Sequence, residues 1–288
     1  MKPDIVVDTT PGKLTPYLRL DEILIEYAHT LQDVLISNFV GMYLSGSLAI
    51  GDFDLTSDVD FSVVINDELS DGEVEKVQTS HAALVARDSR WVKHLEYSFF
   101  PMDRLLTPSS PFGATSRNDL DDRRLWYFEN GGSTVEQSDH CNTLVTRWTL
   151  REKSTAVLGP EPASFMRVVT PDELRTEIKN SILGWSREVF ADWAPYYNRF
   201  FQAFFVLNYC RVLQDLHEGR ITSKLDGVKW AKTHLDPKWY SLIDYCWLER
   251  QDTTIHVSQP AQPEVFKQTI AFSEYATRLG EAYQLPSE

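Results

Sequence analysis

The sequence is short of the residues that mark a disulfide scaffold, a duplex nucleic-acid binder or a membrane protein. Its three cysteines, Cys141, Cys210 and Cys246, are far apart. They follow neither a CxxC metal spacing nor an even-numbered framework, so reduced and mostly buried thiols are expected. Positive charge is scarce as well: 28 Lys and Arg stand against 42 Asp and Glu, a formal net charge of -14. Affinity for duplex phosphates is built from clustered Lys and Arg, so no nucleic-acid partner is expected. A cationic small substrate suits this field, and so does plain solubility. No apolar run approaches the length of a bilayer span, and the N-terminal MKPDIVVDTTPGK has no basic segment leading into an apolar core. No membrane partner and a cytoplasmic location are the expectations that follow. Internal repeats and low-complexity segments are missing too.

What is present is enough chain for two modest cores, 288 residues with 42% hydrophobic content. Residues 20–37 place Ile23, Leu24, Tyr27, Leu31, Leu35 and Ile36 on one helical stripe. Strands are predicted at 40–45, 59–65 and 93–99, with a polar helix at 71–87 between the last two. Pro108, Pro111, Gly113 and the pair Gly131-Gly132 break up residues 109–132, which read as a connection. A helix is predicted over 139–157, stopped by Gly159 and Pro160. Helical stretches then alternate with short breaks at 171–193, 197–217, 223–234, 237–250 and 262–283. The expected fold is α+β: a small mixed sheet flanked by helices in a domain of residues 1–159, followed by an all-helical domain of residues 160–288.

The densest chemistry lies in YLSGSLAIGDFDLTSDVDF, residues 43–61. Asp58 and Asp60 open an apolar run, and two residues apart in a strand they point to one face. Carboxylates held that close repel unless a cation lies between them, and a hard ion such as Mg2+ binds one or two carboxylates together with substrate phosphates. Glu96 interrupts the otherwise apolar LEYSFF, which makes it the candidate third carboxylate. Gly46 permits close backbone approach to a phosphate, and Ser47 adds an N–H and a hydroxyl. A lone DxD is usually a solvated turn, and a lone Gly-Ser almost always is; the order of all the pieces is what carries the signal. Asp52 and Asp54 are expected to shape the intervening loop, with Ser57 offering a local hydrogen bond. His140, His217 and His256 have no ligand-like spacing and read as surface or helix-end residues. Trp126, Tyr127 and Trp148 read first as core and second as lining of a cleft. The aromatic run from Tyr196 to Phe205 reads as packing, with an excess that suits a stacking surface.

At these residues the chain resembles the DNA polymerase beta-like nucleotidyltransferases, whose signature is Gly-Ser followed at a short interval by Asp-x-Asp: here Gly46-Ser47 and Asp58-Val59-Asp60. Within that superfamily it looks most like the streptomycin/spectinomycin adenylyltransferases and their uncharacterised bacterial relatives. Leu95-Glu96-Tyr97-Ser98 is similar to the family's strand with the third carboxylate, and Val157-Leu158-Gly159-Pro160 to its helix end. Asn208 to Leu213 and Ser223 to Ala231 are similar to the segments whose Arg and Lys reach the nucleotide phosphates, which assigns Arg211 and Lys224 to the nucleotide. The resemblance implies transfer of AMP from ATP, with two Mg2+ ions on Asp58 and Asp60, Glu96 as a further ligand and as the base, and a small hydroxyl-bearing acceptor such as an aminoglycoside. It also implies a helical domain that closes over the nucleotide and acceptor; a monomer is the favoured state. A nucleotide-binding regulator, a toxin–antitoxin protein modifier and a non-catalytic interaction protein are the alternatives. Tyr196-Tyr197-Asn198-Arg199-Phe200-Phe201-Gln202 stands where the drug-modifying enzymes carry acidic residues and Trp, with Asp192 and Trp193 just upstream.

Overall fold

The computed structural model describes residues 5–7, 12–106 and 124–285, and these divide into two compact units. One holds the chain up to Gly51 and the described residues from Ser57 to Val168; the other holds Asp52–Thr56 and the chain from Val169 onward. Pro108, Pro111 and Gly113 lie outside the described residues.

The first unit is built on a six-stranded mixed sheet in the order β5-β4-β3-β2-β1-β6. Its strands are β1 (Phe39–Leu44), β2 (Val59–Ile65), β3 (Leu95–Pro101), β4 (Leu125–Phe128), β5 (Glu136–Ser138) and β6 (Thr155–Leu158). Only β2 and β3 run parallel; the other neighbours are antiparallel. Parallel strands need a crossover, and α3 (Asp71–Val85) supplies it. Alternation then sorts the side chains. Phe61 and Tyr97 face α1 (Leu18–Leu35) and α3, where Phe61 stacks on Tyr97 at 4.2 Å. Tyr27 of α1 and His81 of α3 both bond to the Tyr97 hydroxyl, at 2.6 and 2.9 Å. His81 Nε2 lies 3.0 Å from the Gly132 carbonyl, which can only accept. Nε2 therefore carries the proton, Nδ1 accepts from Tyr97, and burial holds the ring's pKa below the ordinary histidine value. On the other face Tyr43, Val64, Phe100 and Leu125 close a core with Leu105 of α4 (Met102–Leu106), Leu150 of α5 (Leu144–Glu152) and Met166.

Three local expectations change. The helix expected over 139–157 is only Leu144–Glu152, started by Thr143 Oγ1 accepting from the Thr146 N–H at 3.0 Å. Beyond it, Thr155–Leu158 is a strand on the free side of β1, where a β-branched stretch gains ladder hydrogen bonds that a longer helix would forgo. Residues 125–128, read as part of a connection, form β4, and residues 136–138, for which no element was predicted, form β5; together they extend the sheet past β3. The Gly-Ser turn is the first turn of a short helix, α2 (Gly46–Ile50).

The second unit is helical: α6 (Pro171–Ala191), α7 (Arg199–Glu218), α8 (Lys224–His234), α9 (Tyr240–Gln251) and α10 (Pro263–Ala282). Three of these starts carry a side-chain cap. Thr170, Pro171 and Glu173 make a capping box with Pro at the first position, and Asn198 and Ser223 accept from the N–H groups of Phe201 and Asp226. Inside, Ser186 bonds to Tyr209 at 2.7 Å and to Thr277 at 2.8 Å, joining three helices. The run from Tyr196 divides as expected. Phe205 is buried among Trp185, Trp193, Tyr196 and Phe201, while Tyr197 and Phe200 stay more than 40% exposed. No helix of the described residues is long and apolar enough to cross a membrane.

Candidate active site

Parallel register sets Asp60 beside Glu96, whereas among the described residues Asp58, Asp60 and Glu96 do not form a group of three with all ligand atoms within 4.8 Å of one another. Asp60 of β2 pairs with Glu96 of β3, Ser62 with Ser98 and Val64 with Phe100, so one face runs from acidic through hydroxyl to apolar along both strands. The apolar end seats the core; the acidic end stays half-buried. Asp58 stands one residue before β2. The start of β2 is anchored by the Val59 N–H bond to the His94 carbonyl at 2.7 Å, and Asn130 Nδ2 donates to Asp58 Oδ1 at 2.6 Å.

Gly46 and Asp60 are fitted to one another. The Ser45 N–H bonds to the Asp60 carbonyl at 2.9 Å, which draws the end of β1 against the carboxylate strand. Gly46 then takes φ +53°, and a Cβ built there would fall 1.9 Å from Asp60 Oδ2. Any larger residue would displace the carboxylate as well as strain the backbone. Ser47 follows in α2.

Glu96 is the centre of a second group that the spacing of the sequence does not reveal. Its Oε1 accepts from the Tyr127 hydroxyl at 2.9 Å and lies 3.4 Å from His140 Nε2. The bond to Glu96 raises the His140 pKa above the ordinary value, against the opposing effect of burial, and the charges of Glu96, Asp60 and Asp139 add to the rise. Burial and the neighbouring carboxylate push the Tyr127 phenol up. Burial pushes the Cys141 thiol up to about 12; contact with Ser98 opposes this, and Glu96 and Asp60 add to it. Among the described residues, Glu96, His140 and Cys141 are the group of three ligand-type side chains whose donor atoms all lie within 4.8 Å of one another. His140 is a surface residue as expected, its side chain 66% exposed, and it also bears on Glu96. Tyr127 is buried and also reaches the acid, whereas Trp126 and Trp148 are only half-buried. No sequence signal pointed to Asn130 or His140, because β4 and β5 were not foreseen and these strands return the chain to Glu96.

Arg211 and Lys224 belong to the second unit, on α7 and at the first position of α8. Arg211 Nη2 donates to Asn208 Oδ1 at 2.9 Å, and its Nε is buried without a hydrogen-bond partner among the described residues. A Cβ on Gly227 would fall 2.6 Å from the Arg211 backbone, so the glycine sets how closely α8 approaches α7. Lys224 Nζ lies 5.5 Å from the centre of the Phe204 ring. Asp52 and Asp54 are counted in the same unit. Asp54 closes its own loop onto Thr56, at 2.8 Å to the N–H and 2.7 Å to the hydroxyl, and pairs with Arg250 at 3.1 Å. Asp52 accepts from the Leu225 N–H at 3.4 Å, in the first turn of α8.

Residues 165–272 match the family model described as "Aminoglycoside adenylyltransferase, C-terminal domain". Spectinomycin 9-adenylyltransferases of Staphylococcus aureus, among them those of strains Mu50 and N315, are 25% identical over 224 residues, which span 74% of this chain and 78% of the relative. A crystal structure of the spectinomycin adenyltransferase AAD(9) from Enterococcus faecialis, with ATP and spectinomycin, aligns with a TM-score of 0.63 at 13% identity, covering 91% of this chain and 98% of that one. The two share a fold. In sequence and in architecture the chain resembles the aminoglycoside adenylyltransferases.

Proposed function

We propose that the chain is a nucleotidyltransferase that moves an AMP group from Mg-ATP to a hydroxyl of a small acceptor of the aminoglycoside class. One observation carries the reading: Asp60 lies in register with Glu96 on parallel strands and is packed against a glycine whose place any side chain would contest. The match to spectinomycin adenylyltransferases supports adenylyl transfer as the reaction and an aminoglycoside as the acceptor class. ATP as donor is supported by the nucleotide present in the structural relative.

The donor set suits Mg2+: Asp58 and Asp60 offer hard oxygen ligands, and Gly46 keeps the space beside Asp60 free of side-chain atoms. Two Mg2+ ions bound here would neutralise charge as pyrophosphate leaves. Asp58 and Asp60 are the ligands, with Glu96 as a further carboxylate. Glu96 accepts the hydroxyl proton, and the Tyr127 hydroxyl bonded to its Oε1 fixes the orientation of the group. Gly46 and Ser47 are assigned to the phosphates, and Arg211 and Lys224 in the helical unit supply the cationic contribution to the nucleotide. Residues 1–159 are assigned to metal and nucleotide, and 160–288 to nucleotide and acceptor. With a net charge of -14, a cationic drug is attracted and a nucleic-acid partner is not proposed.

The test is pyrophosphate release from Mg-ATP against spectinomycin, streptomycin and other hydroxyl-bearing antibiotics, with mass spectrometry of the acceptor. Release that depends on one of these drugs, with the drug gaining one adenylyl group, is the expected result. ATP binding without modification of any drug would overturn the acceptor class, and absence of ATP binding would overturn the whole reading.

A further inference from the structure

We propose that Glu96, His140 and Cys141 form a binding site for a borderline-soft divalent cation of the zinc class. Their oxygen, nitrogen and sulfur donors lie within 4.8 Å of one another, with His140 Nε2 3.4 Å from Glu96 Oε1. A tetrahedral ion with nitrogen and oxygen ligands at about 2.0–2.1 Å holds them about 3.3–3.4 Å apart. The observed pair already spans such an edge.

Ligand chemistry separates this site from the two aspartates. Asp58 and Asp60 offer carboxylate oxygen alone, which suits a hard ion, whereas imidazole with thiolate selects Zn2+ and ions of similar softness. The surroundings are those of a metal centre. Glu96 is fixed within the sheet, and the Tyr127 hydroxyl at 2.9 Å is the outer contact that orients a ligating carboxylate. His140 and Cys141 lie in a turn closed by the Asn142 N–H bond to the Asp139 carbonyl at 3.0 Å and the Thr143 N–H bond to the Cys141 carbonyl at 2.9 Å. The exposed imidazole gives an ion a way in, and three protein ligands leave one position for water. In the reaction proposed above Glu96 takes the hydroxyl proton, so a zinc-class ion seated on it blocks transfer. The site itself does not depend on that reading.

Cobalt(II) reads the site directly, since a thiolate ligand gives a sulfur-to-cobalt charge-transfer band and four-coordination intensifies the visible bands. Cys210 and Cys246 are fully buried, so such a band belongs to Cys141. Titrating the full chain with Co2+ alone should produce both features, and Zn2+ should bleach them. Cys141→Ser should remove the charge-transfer band, while His140→Ala and Tyr127→Phe should each weaken binding by about 10- to 100-fold. The double variant Asp58→Asn with Asp60→Asn should keep the band. Cobalt binding without a thiolate band, an unchanged band in folded Cys141→Ser, or its loss in the double aspartate variant overturns the proposal. Should Cys141→Ser fail to fold by circular dichroism, alkylation of Cys141 in the unaltered chain decides: Zn2+ is expected to slow it, and an unchanged rate overturns the site.

Discussion

Two acids of the candidate site and two of the helical unit are held in opposite ways. In the sheet unit Asp58 accepts from the amide of Asn130 and Glu96 from the hydroxyl of Tyr127, both neutral donors. In the helical unit Glu249 is gripped by two nitrogens of Arg199, at 2.6 and 3.0 Å, and Asp54 pairs with Arg250. A guanidinium neutralises a carboxylate where it stands and makes the pair a structural fixture. A neutral donor orients a carboxylate and leaves its charge available to a cation. The difference separates acids that hold the fold from acids kept for chemistry, and each can be tested by what its loss disturbs.

The largest effect is expected at the aspartates. Asp58→Asn or Asp60→Asn should abolish adenylyl transfer while circular dichroism and the melting temperature remain close to those of the unaltered chain; normal turnover in either variant would remove them from the site. Glu96→Gln should lower the single-turnover rate by about a hundred- to ten-thousandfold, the contribution of a general base, while ATP affinity changes little. A variant that loses ATP affinity but keeps the rate would move Glu96 from the chemistry to binding.

On the structural side the order of sensitivities should reverse. Glu249→Ala removes two charge-assisted hydrogen bonds from a largely buried carboxylate and should lower unfolding stability in urea by about 2 kcal/mol, with transfer per folded molecule unchanged. A fall in transfer larger than the unfolded fraction explains would break the contrast between the units. Stability should also depend on pH. Burial raises the Asp215 carboxyl to about 7, against the charge of Arg211 and the bonds from Thr222. The folded chain then keeps a proton that the unfolded chain gives up near the ordinary aspartate value, so stability is highest at the acid end of that window and falls as pH rises through it. The slope can reach about 1.4 kcal/mol per pH unit. Asp215→Asn should flatten that part of the profile of melting temperature between about pH 5 and 7; an unchanged slope would place the proton elsewhere.

Legibility in the sequence followed the range of the interactions. The C-terminal helices were readable because caps and stops are local: Thr170-Pro171, Asn198, Ser223 and Gly219 each act within a turn of their own helix. The wrongly extended helix at 139–157 has the complementary cause. Residues 155–158 are ambiguous by propensity, and a partner more than a hundred residues earlier, β1, decides for strand. Strands β4 and β5 are short and sit among glycines, so no periodicity announced them.

By itself, then, the sequence determined the two-part architecture, the strand that carries Asp60 and the suspicion attached to Glu96, since alternation within a strand needs no knowledge of the rest of the chain. Tertiary structure decided the remainder. It set Asp60 in register with Glu96 and pressed Gly46 against Asp60. It also brought Tyr127, Asn130, His140 and Cys141 to the same acids through strands whose pairing is non-local. Those contacts join residues from 14 to 72 positions apart, and no short-range pattern encodes a neighbour that distant.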